Sequence, residues 1–302
     1  MIKWQGVFPA VTTKFTAQGD LDHASCERHF QWQIDSGVDG LIVAGSLGES
    51  STLGSDEKFE LARIAKAVAG PTRQVILTIA TGATSSAIDL AREAEARQLD
   101  GIMLLPPMMY NASAEETVAW FEAVALSCDL PIMVYNNPVA YKIDVTTSML
   151  EQLCERPNIV AVKESSDDVR RVISIRNALG DRLAIFAGVD NLALESCLVG
   201  ADGWVAGLVS AFPEETIAVW RLAKAGRLQE ALSIYRWFSP LLELDVSPRL
   251  VQNIKLAEAI MGVGNEHVRP PRAPLAGTER TRVEGIIRSA LKSRPPLPTY
   301  PI

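Results

Sequence analysis

Residues 158–179, NIVAVKESSDDVRRVISIRNAL, contain a short apolar run followed by a longer amphipathic segment. Residues 159–163 have the length and β-branched content of a buried strand, and residues 168–179 have helical periodicity. A strand that leads into a helix is one βα unit, from which parallel sheets are built. We therefore predict a parallel strand whose last residue is Lys163.

Seven further apolar runs occur along the chain, and most are separated by segments with helical periodicity. The length of 302 residues suits two small domains or one barrel with an appendage. Eight βα units favour the barrel over a doubly wound sheet, because the first strand leads into VTTKFTAQGD without a glycine-rich nucleotide turn. We predict an α/β (β/α)8 TIM barrel with strands at residues 7–12, 40–44, 75–79, 101–105, 132–135, 159–163, 184–187 and 203–206, and with helices at 55–68, 85–97, 114–127, 145–154 and 168–179.

The strand pattern stops after Pro213. Residues 214–224, 228–242, 249–261 and 278–291 all have helical periodicity. We therefore predict a catalytic barrel over residues 1–224 and a C-terminal helical region over residues 225–302.

The composition excludes several classes of protein. The net charge of −7 and the absence of a basic run argue against a nucleic-acid partner, which requires clustered Lys and Arg. No apolar run approaches the roughly 20 residues that cross a bilayer. The N-terminal segment lacks a small-residue cleavage site of the signal-peptide type. We expect a cytoplasmic protein without a membrane or nucleic-acid partner.

The potential metal ligands are scattered along the sequence. The four cysteines lie far apart and fit core or near-core thiols better than a metal site or a disulfide framework. Of the three histidines, only two are close, six residues apart on a probable helix. We expect no metal site from these residues, which are Cys26, Cys128, Cys154, Cys197, His23, His29 and His267.

Lys163 is the most unusual of the polar residues, because it ends an apolar strand. Burial disfavours the ammonium form and leaves a neutral amine that can attack a carbonyl group. The alternative is a structural ion pair with an acid such as Glu164. Position alone favours neither interpretation.

Two other strand ends carry residues that could serve chemistry. Tyr135 ends the strand before that of Lys163, and the ends of parallel barrel strands meet at one mouth. A phenol there could move protons, although a packed aromatic residue is the commoner role. The loop from Gly45 to Gly48 could bring backbone amides close to a carboxylate, although short Gly-Ser loops also occur as simple turns.

The ordered motifs GSLGES (45–50), YNNP (135–138) and VAVKES (160–165) resemble the dihydrodipicolinate synthase/N-acetylneuraminate lyase family. The resemblance covers essentially the whole chain. It implies class I Schiff-base chemistry on a small 2-oxo acid or cyclic imine, a homotetramer, and no metal or organic cofactor. It also implies roles for single residues: Lys163 as the Schiff-base lysine, Tyr135 as the proton-relay tyrosine, Ser46 and Tyr110 as further relay groups, and Gly45, Ser46, Leu47, Gly188 and Val205 as substrate-binding residues.

Two positions depart from the family pattern. Leu47 stands where the family loop commonly has a second threonine, so one hydroxyl donor is lost. Ala140 stands where the lysine-biosynthetic synthases usually carry an arginine that holds a second carboxylate. A buried carboxylate without a partner costs several kcal/mol, so these departures argue against the synthase reaction.

The motifs GSLGES, PPMMY and YNNPVAY look most like Δ1-pyrroline-4-hydroxy-2-carboxylate deaminase of hydroxyproline catabolism. We therefore expect dehydration and deamination to 2-oxoglutarate semialdehyde. The alternatives are an aldolase or dehydratase of 2-oxo-3-deoxy sugar acids, 4-hydroxy-tetrahydrodipicolinate synthase, and a catalytically silent ligand-binding barrel. The last has no need of a buried lysine beside a tyrosine.

Overall fold

Eight parallel strands form a barrel in the computed structural model, which describes residues 4–300. The strands are β1 (Gly6–Pro9), β2 (Gly40–Val43), β3 (Gln74–Ile79), β4 (Gly101–Leu104), β5 (Ile132–Asn136), β6 (Ile159–Glu164), β7 (Ala184–Ala187) and β8 (Gly203–Ala206). From β2 to β8 each strand pairs with the next one along the chain, and β1 pairs with β8. A bridge between Ala10 and Ile42 brings β1 beside β2 and closes the ring. The predicted (β/α)8 fold is confirmed.

Helices follow the strands on the outside of the barrel and continue beyond β8. They are α1 (His23–Asp35), α2 (Ser55–Ala69), α3 (Thr84–Ala96), α4 (Ala114–Ala125), α5 (Pro138–Tyr141), α6 (Thr147–Leu153), α7 (Arg170–Leu179), α8 (Ala193–Leu198), α9 (Pro213–Lys224), α10 (Leu228–Leu242), α11 (Leu250–Met261) and α12 (Gly277–Lys292). None of these helices is long and apolar enough to span a membrane.

All the predicted strands and helices are present, with corrections at their ends. The first strand was predicted to reach Thr12 but ends at Pro9; the Thr12 hydroxyl instead donates to Glu258 Oε1 at 2.6 Å. The helix predicted from residue 145 begins at Thr147, because the Thr146 hydroxyl caps it by accepting the Met149 N–H. The four-residue helix α5 was not predicted, because it is too short to show helical periodicity.

The strands separate two apolar layers, and their alternation orients Lys163. In β6, Ala161 belongs to the cluster inside the barrel, whereas Val162 belongs to the layer between strands and helices. Successive strand side chains point to opposite faces, so Lys163 points inward like Ala161. The predicted core thiols are also found, since Cys26, Cys128 and Cys197 are buried and unpaired.

The helical region that follows the barrel contacts its upper rim. Lys255 on α11 is buried, and its Nζ lies 2.5 Å from Oε1 of the buried Glu49, one residue beyond the Gly45–Gly48 loop. This buried ion pair joins α11 to the loop after β2. The predicted division of the chain after residue 224 stays a prediction.

Candidate active site

A cavity of about 410 Å³ opens at the carboxyl ends of the strands. This is the end at which barrel enzymes place their reactive groups. The structure brings seven of the predicted site residues to the wall of this cavity: Gly45, Ser46, Leu47, Tyr135, Lys163, Gly188 and Val205. The wall also includes Ala140, Tyr141 and Asp245.

Lys163 lies at the floor of the cavity with its side chain only 7% exposed. Its Nζ lies 4.2 Å from the centroid of the Tyr135 ring, and Tyr135 is its direct partner on β5. Gly188 makes room for the lysine stem, because a Cβ at position 188 would lie 2.8 Å from Lys163 Cε. Burial lowers the pKa of Lys163, while nearby Asp245 and Tyr141 oppose that shift. Burial thus favours the neutral amine that a nucleophile needs.

The alternative ion pair between Lys163 and Glu164 does not form. Glu164 accepts hydrogen bonds from Asn136 Nδ2 at 3.0 Å and from the Ser166 N–H at 2.8 Å. Its cationic neighbour is Arg171, whose Nε lies 3.8 Å from Oε2. Adjacent residues of a strand face opposite sides, which separates the Glu164 carboxylate from the lysine.

A chain of hydroxyl groups runs from Tyr135 to the Gly45–Gly48 loop. The rings of Tyr135 and Tyr141 meet edge to face with centroids 5.8 Å apart. The Tyr141 hydroxyl lies 2.5 Å from Ser46 Oγ, and the Tyr135 hydroxyl accepts a hydrogen bond from Asn137 Nδ2 at 3.1 Å. Desolvation raises the pKa of both tyrosines, so both remain phenols that can donate a proton.

Tyr141 is the relay candidate that sequence analysis missed, and Tyr110 lies elsewhere. Within residues 4–300, Tyr110 is not on the cavity wall, and its side chain is 55% exposed. In this single chain, Ser46 bonds to Tyr141. The predicted relay role of Tyr110 across a subunit boundary stays a prediction.

The Gly45–Gly48 loop presents backbone amides to the cavity. No hydrogen bond among residues 4–300 uses the N–H of Ser46 or Leu47, so both donors remain available. The Thr13 hydroxyl holds the Gly48 carbonyl at 2.6 Å, and Glu49 is fixed by Lys255 and by the Arg269 N–H. Such a fixed turn with free amides suits a carboxylate.

Two carboxyl groups lie close to Lys163. Asp190 is fully buried and accepts hydrogen bonds from Trp204 Nε1 at 2.9 Å and from the Leu208 N–H at 2.8 Å. Asp245, from the segment between α10 and α11, lies on the cavity wall. Lys163 is the only cationic side chain on that wall within the described part of the chain.

The Dihydrodipicolinate synthetase family model matches residues 3–290, almost the whole chain. This chain belongs to the dihydrodipicolinate synthetase family. Its family membership and its site agree, because the motif residues Lys163 and Tyr135 meet in the cavity. It is therefore an enzyme, a Schiff-base lyase of the class I aldolase type.

Individual members of the dihydrodipicolinate synthetase family resemble the chain over nearly its full length. The 4-hydroxy-tetrahydrodipicolinate synthase of Moorella thermoacetica is 35% identical, with 96% of this chain and 98% of that protein covered. The structure of the synthase from Methylacidiphilum fumariolicum SolV has a TM-score of 0.90 at 30% identity, covering 96% of this chain and 98% of its own.

Another relative in this family is YagE of Escherichia coli K12. It is provisionally named a 2-dehydro-3-deoxy-D-gluconate aldolase, and it is 28% identical over 94% of this chain and 96% of its own length. Its structure in complex with pyruvate has a TM-score of 0.89 and covers 95% of this chain and 99% of its own. Members this similar therefore carry names for different reactions.

Proposed function

We propose that this enzyme forms a Schiff base between Lys163 and a small 2-oxo acid or cyclic imine that carries one carboxylate. The observation that carries the proposal is the cavity wall, where Lys163 is the only cation among the described residues. The free amides of Ser46 and Leu47 suit one carboxylate. A second carboxylate would meet Asp245 and the exposed methyl group of Ala140 instead of a guanidinium group.

Deamination of Δ1-pyrroline-4-hydroxy-2-carboxylate is the reaction that fits this wall best. Lys163 attacks C2 of the imine, and the ring nitrogen leaves as a tethered amine. Tyr135, which is linked to Tyr141 and Ser46, donates its proton to the ring nitrogen as that nitrogen leaves. The Tyr135 phenolate then takes up the C3 proton, and the resulting enamine expels the 4-hydroxyl group. Tautomerisation carries the double bond to the terminal amine, and hydrolysis releases ammonia and 2-oxoglutarate semialdehyde.

The synthase reaction is the second candidate, and the names of the relatives favour it. The protein from Moorella thermoacetica is named a synthase at 35% identity over nearly both chains. None of the relatives described above is named a deaminase. The names of the relatives therefore support the synthase reaction and give no support to deamination of the imine. The residues of the cavity wall argue against the synthase reaction, because Ala140 leaves the second carboxylate of that reaction without a cationic partner.

One set of assays separates the candidates. The purified enzyme is supplied with the imine, with a 2-oxo-3-deoxy sugar acid, or with pyruvate plus aspartate semialdehyde, and ammonia, pyruvate and the condensation product are measured. We expect ammonia from the imine and no condensation. Condensation at a much higher kcat/KM, with no ammonia, would establish the synthase, and stoichiometric pyruvate from the sugar acid would establish the aldolase.

Two variants serve as controls for these assays. Lys163→Arg should keep the fold and lose every reaction, because the guanidinium stays protonated and cannot attack a carbonyl group. Ala140→Arg should slow the imine reaction by crowding the cavity mouth. Unchanged kinetics with the imine in Ala140→Arg would show that position 140 does not contact the bound substrate, and the argument against the synthase would lose its support.

A further inference from the structure

Asp245 brings an unpaired carboxyl group into the cavity from outside the barrel. It lies between α10 and α11, three residues after the last residue of α10. Gly207 makes room for it, since a Cβ at that position would lie 2.0 Å from Asp245 Oδ1. Within residues 4–300, no hydrogen bond or ion pair holds this carboxyl group. It is therefore free to bind a group of the substrate.

Burial raises the pKa of the neighbouring Asp190 too, but hydrogen bonds that Asp245 lacks oppose this shift. Trp204 Nε1 and the N–H groups of Gly207 and Leu208 all donate to Asp190. Hydrogen bonds to a carboxylate stabilise its charged form. When two carboxyl groups lie close together, the one without such hydrogen bonds is therefore the one that binds a proton. Desolvation, with the charge of Asp190, raises the pKa of Asp245 well above its ordinary value.

The state of Lys163 agrees with a protonated Asp245. Desolvation lowers the pKa of the lysine and raises that of Asp245, so both shifts favour the uncharged pair. The amine is then ready to attack, and the carboxylic acid beside it can donate a hydrogen bond. Neutral carboxylic acids in apolar sites are effective donors.

We propose that Asp245 is the catalytic residue that binds the distal hydroxyl group of the substrate and donates the proton with which this group leaves as water. This inference rests on the proposed function. A carboxylic acid there accepts and donates hydrogen bonds to a hydroxyl group, but its ionised form repels a second carboxylate. Asp245 would thus select substrates by their distal group.

The proposed step balances in atoms and charge. Tyr135 has given its proton to the leaving ring nitrogen, and its phenolate takes up the C3 proton. The electron pair of the resulting enamine forms the C3–C4 double bond while the lysine iminium re-forms. The C4–O bond breaks with its electron pair on oxygen. Asp245 transfers its proton to that oxygen, one water molecule leaves, and the carboxylate takes up a proton before the next turnover.

The first test measures recognition without turnover. Borohydride traps the Lys163 adduct of 2-oxobutanoate, 4-hydroxy-2-oxobutanoate or oxaloacetate, and intact mass gives the half-saturating concentration of each. In the wild type, we expect the hydroxylated acid to be trapped at a concentration about ten-fold or more below that of the unsubstituted acid, with oxaloacetate weakest. Asp245→Ala should remove the advantage of the hydroxyl group.

The control is Glu243→Gln, which removes an exposed carboxylate two residues earlier in the same segment. Its amide oxygen can still accept the bond from Asn191 Nδ2. This variant should keep the wild-type order. An unchanged order in Asp245→Ala would overturn the inference.

The second test measures proton donation. Asp245→Asn keeps the size of the side chain and replaces the O–H donor by an amide NH2 group, which can donate hydrogen bonds but cannot supply the proton. We therefore expect trapping of pyruvate to stay at the wild-type level while loss of the hydroxyl group from the imine slows by about 10²-fold. Equal loss of both would indicate a structural role and contradict the inference. A wild type that prefers the hydroxylated acid yet releases no ammonia from the imine would refute the proposed function and leave Asp245 as the recognition residue.

Discussion

Gly188→Ala should disable Lys163 by displacing its side chain, without replacing any group that reacts. The added methyl carbon would lie 2.8 Å from both Lys163 Cγ and Cε and 2.0 Å from Ser165 Oγ. Carbon atoms normally approach to about 3.5–4.0 Å, so the lysine stem must move by roughly 1 Å. A displacement of that size costs about 10²-fold in rate, and overpacking costs about 1–3 kcal/mol in the free energy of unfolding.

The assay is the rate at which borohydride traps pyruvate on Lys163, together with urea denaturation. Gly285→Ala is the matched control, because nothing lies within 4 Å of a Cβ at that position in α12. Adding Ser165→Gly to Gly188→Ala should recover stability, because the 2.0 Å contact is gone, but trapping should remain slow. Trapping by Gly188→Ala at the wild-type rate would refute the placement of the lysine stem against position 188.

Three further changes test other parts of the site. Tyr135→Phe should lower kcat by roughly 10²-fold with little change in Tm, because it removes only a proton-transfer group; intact turnover with a large drop in Tm would identify a packing residue. Lys255→Met should destabilise the protein by about 3–5 kcal/mol, since Glu49 stays buried without its ammonium partner, and urea denaturation would show whether adding Glu49→Gln restores stability. Burial, with the charge of Lys14, lowers the pKa of His29 to about 4 from 6.5, so the unfolded chain binds a proton that the folded chain does not. Stability should fall by about 3 kcal/mol as the pH drops from 6.5 to 4, and His29→Gln should lose this part of the pH dependence; equal slopes in both proteins would contradict it.

The sequence predicted the parts of the site that stand on strands. Lys163 and Tyr135 each end an apolar run, and parallel strands bring such ends together. The structure pairs them directly, with Tyr135 opposite Lys163. Strand alternation also rules out the Glu164 ion pair, a conclusion that the sequence alone could have supported.

The parts of the site that stand on connections could not be predicted in the same way. Tyr141 reaches Ser46 because the four-residue helix α5 turns the chain back over the cavity, and a helix this short has no periodicity to detect. Asp245 depends on where the segment between α10 and α11 crosses the barrel mouth. Long-range packing determines that path, and the only local signal is an acidic residue between two helical patterns.

The position of Asp245 has a consequence for how such an enzyme can change. Lys163, which forms the Schiff base, lies on a barrel strand. Asp245, which binds the far end of the substrate, lies on a connection outside the barrel. Replacing that short connection would alter which molecules are accepted and leave the covalent machinery intact. Laboratory evolution aimed at new substrates should therefore randomise residues 245–248, four positions on the cavity wall, before any strand of the barrel.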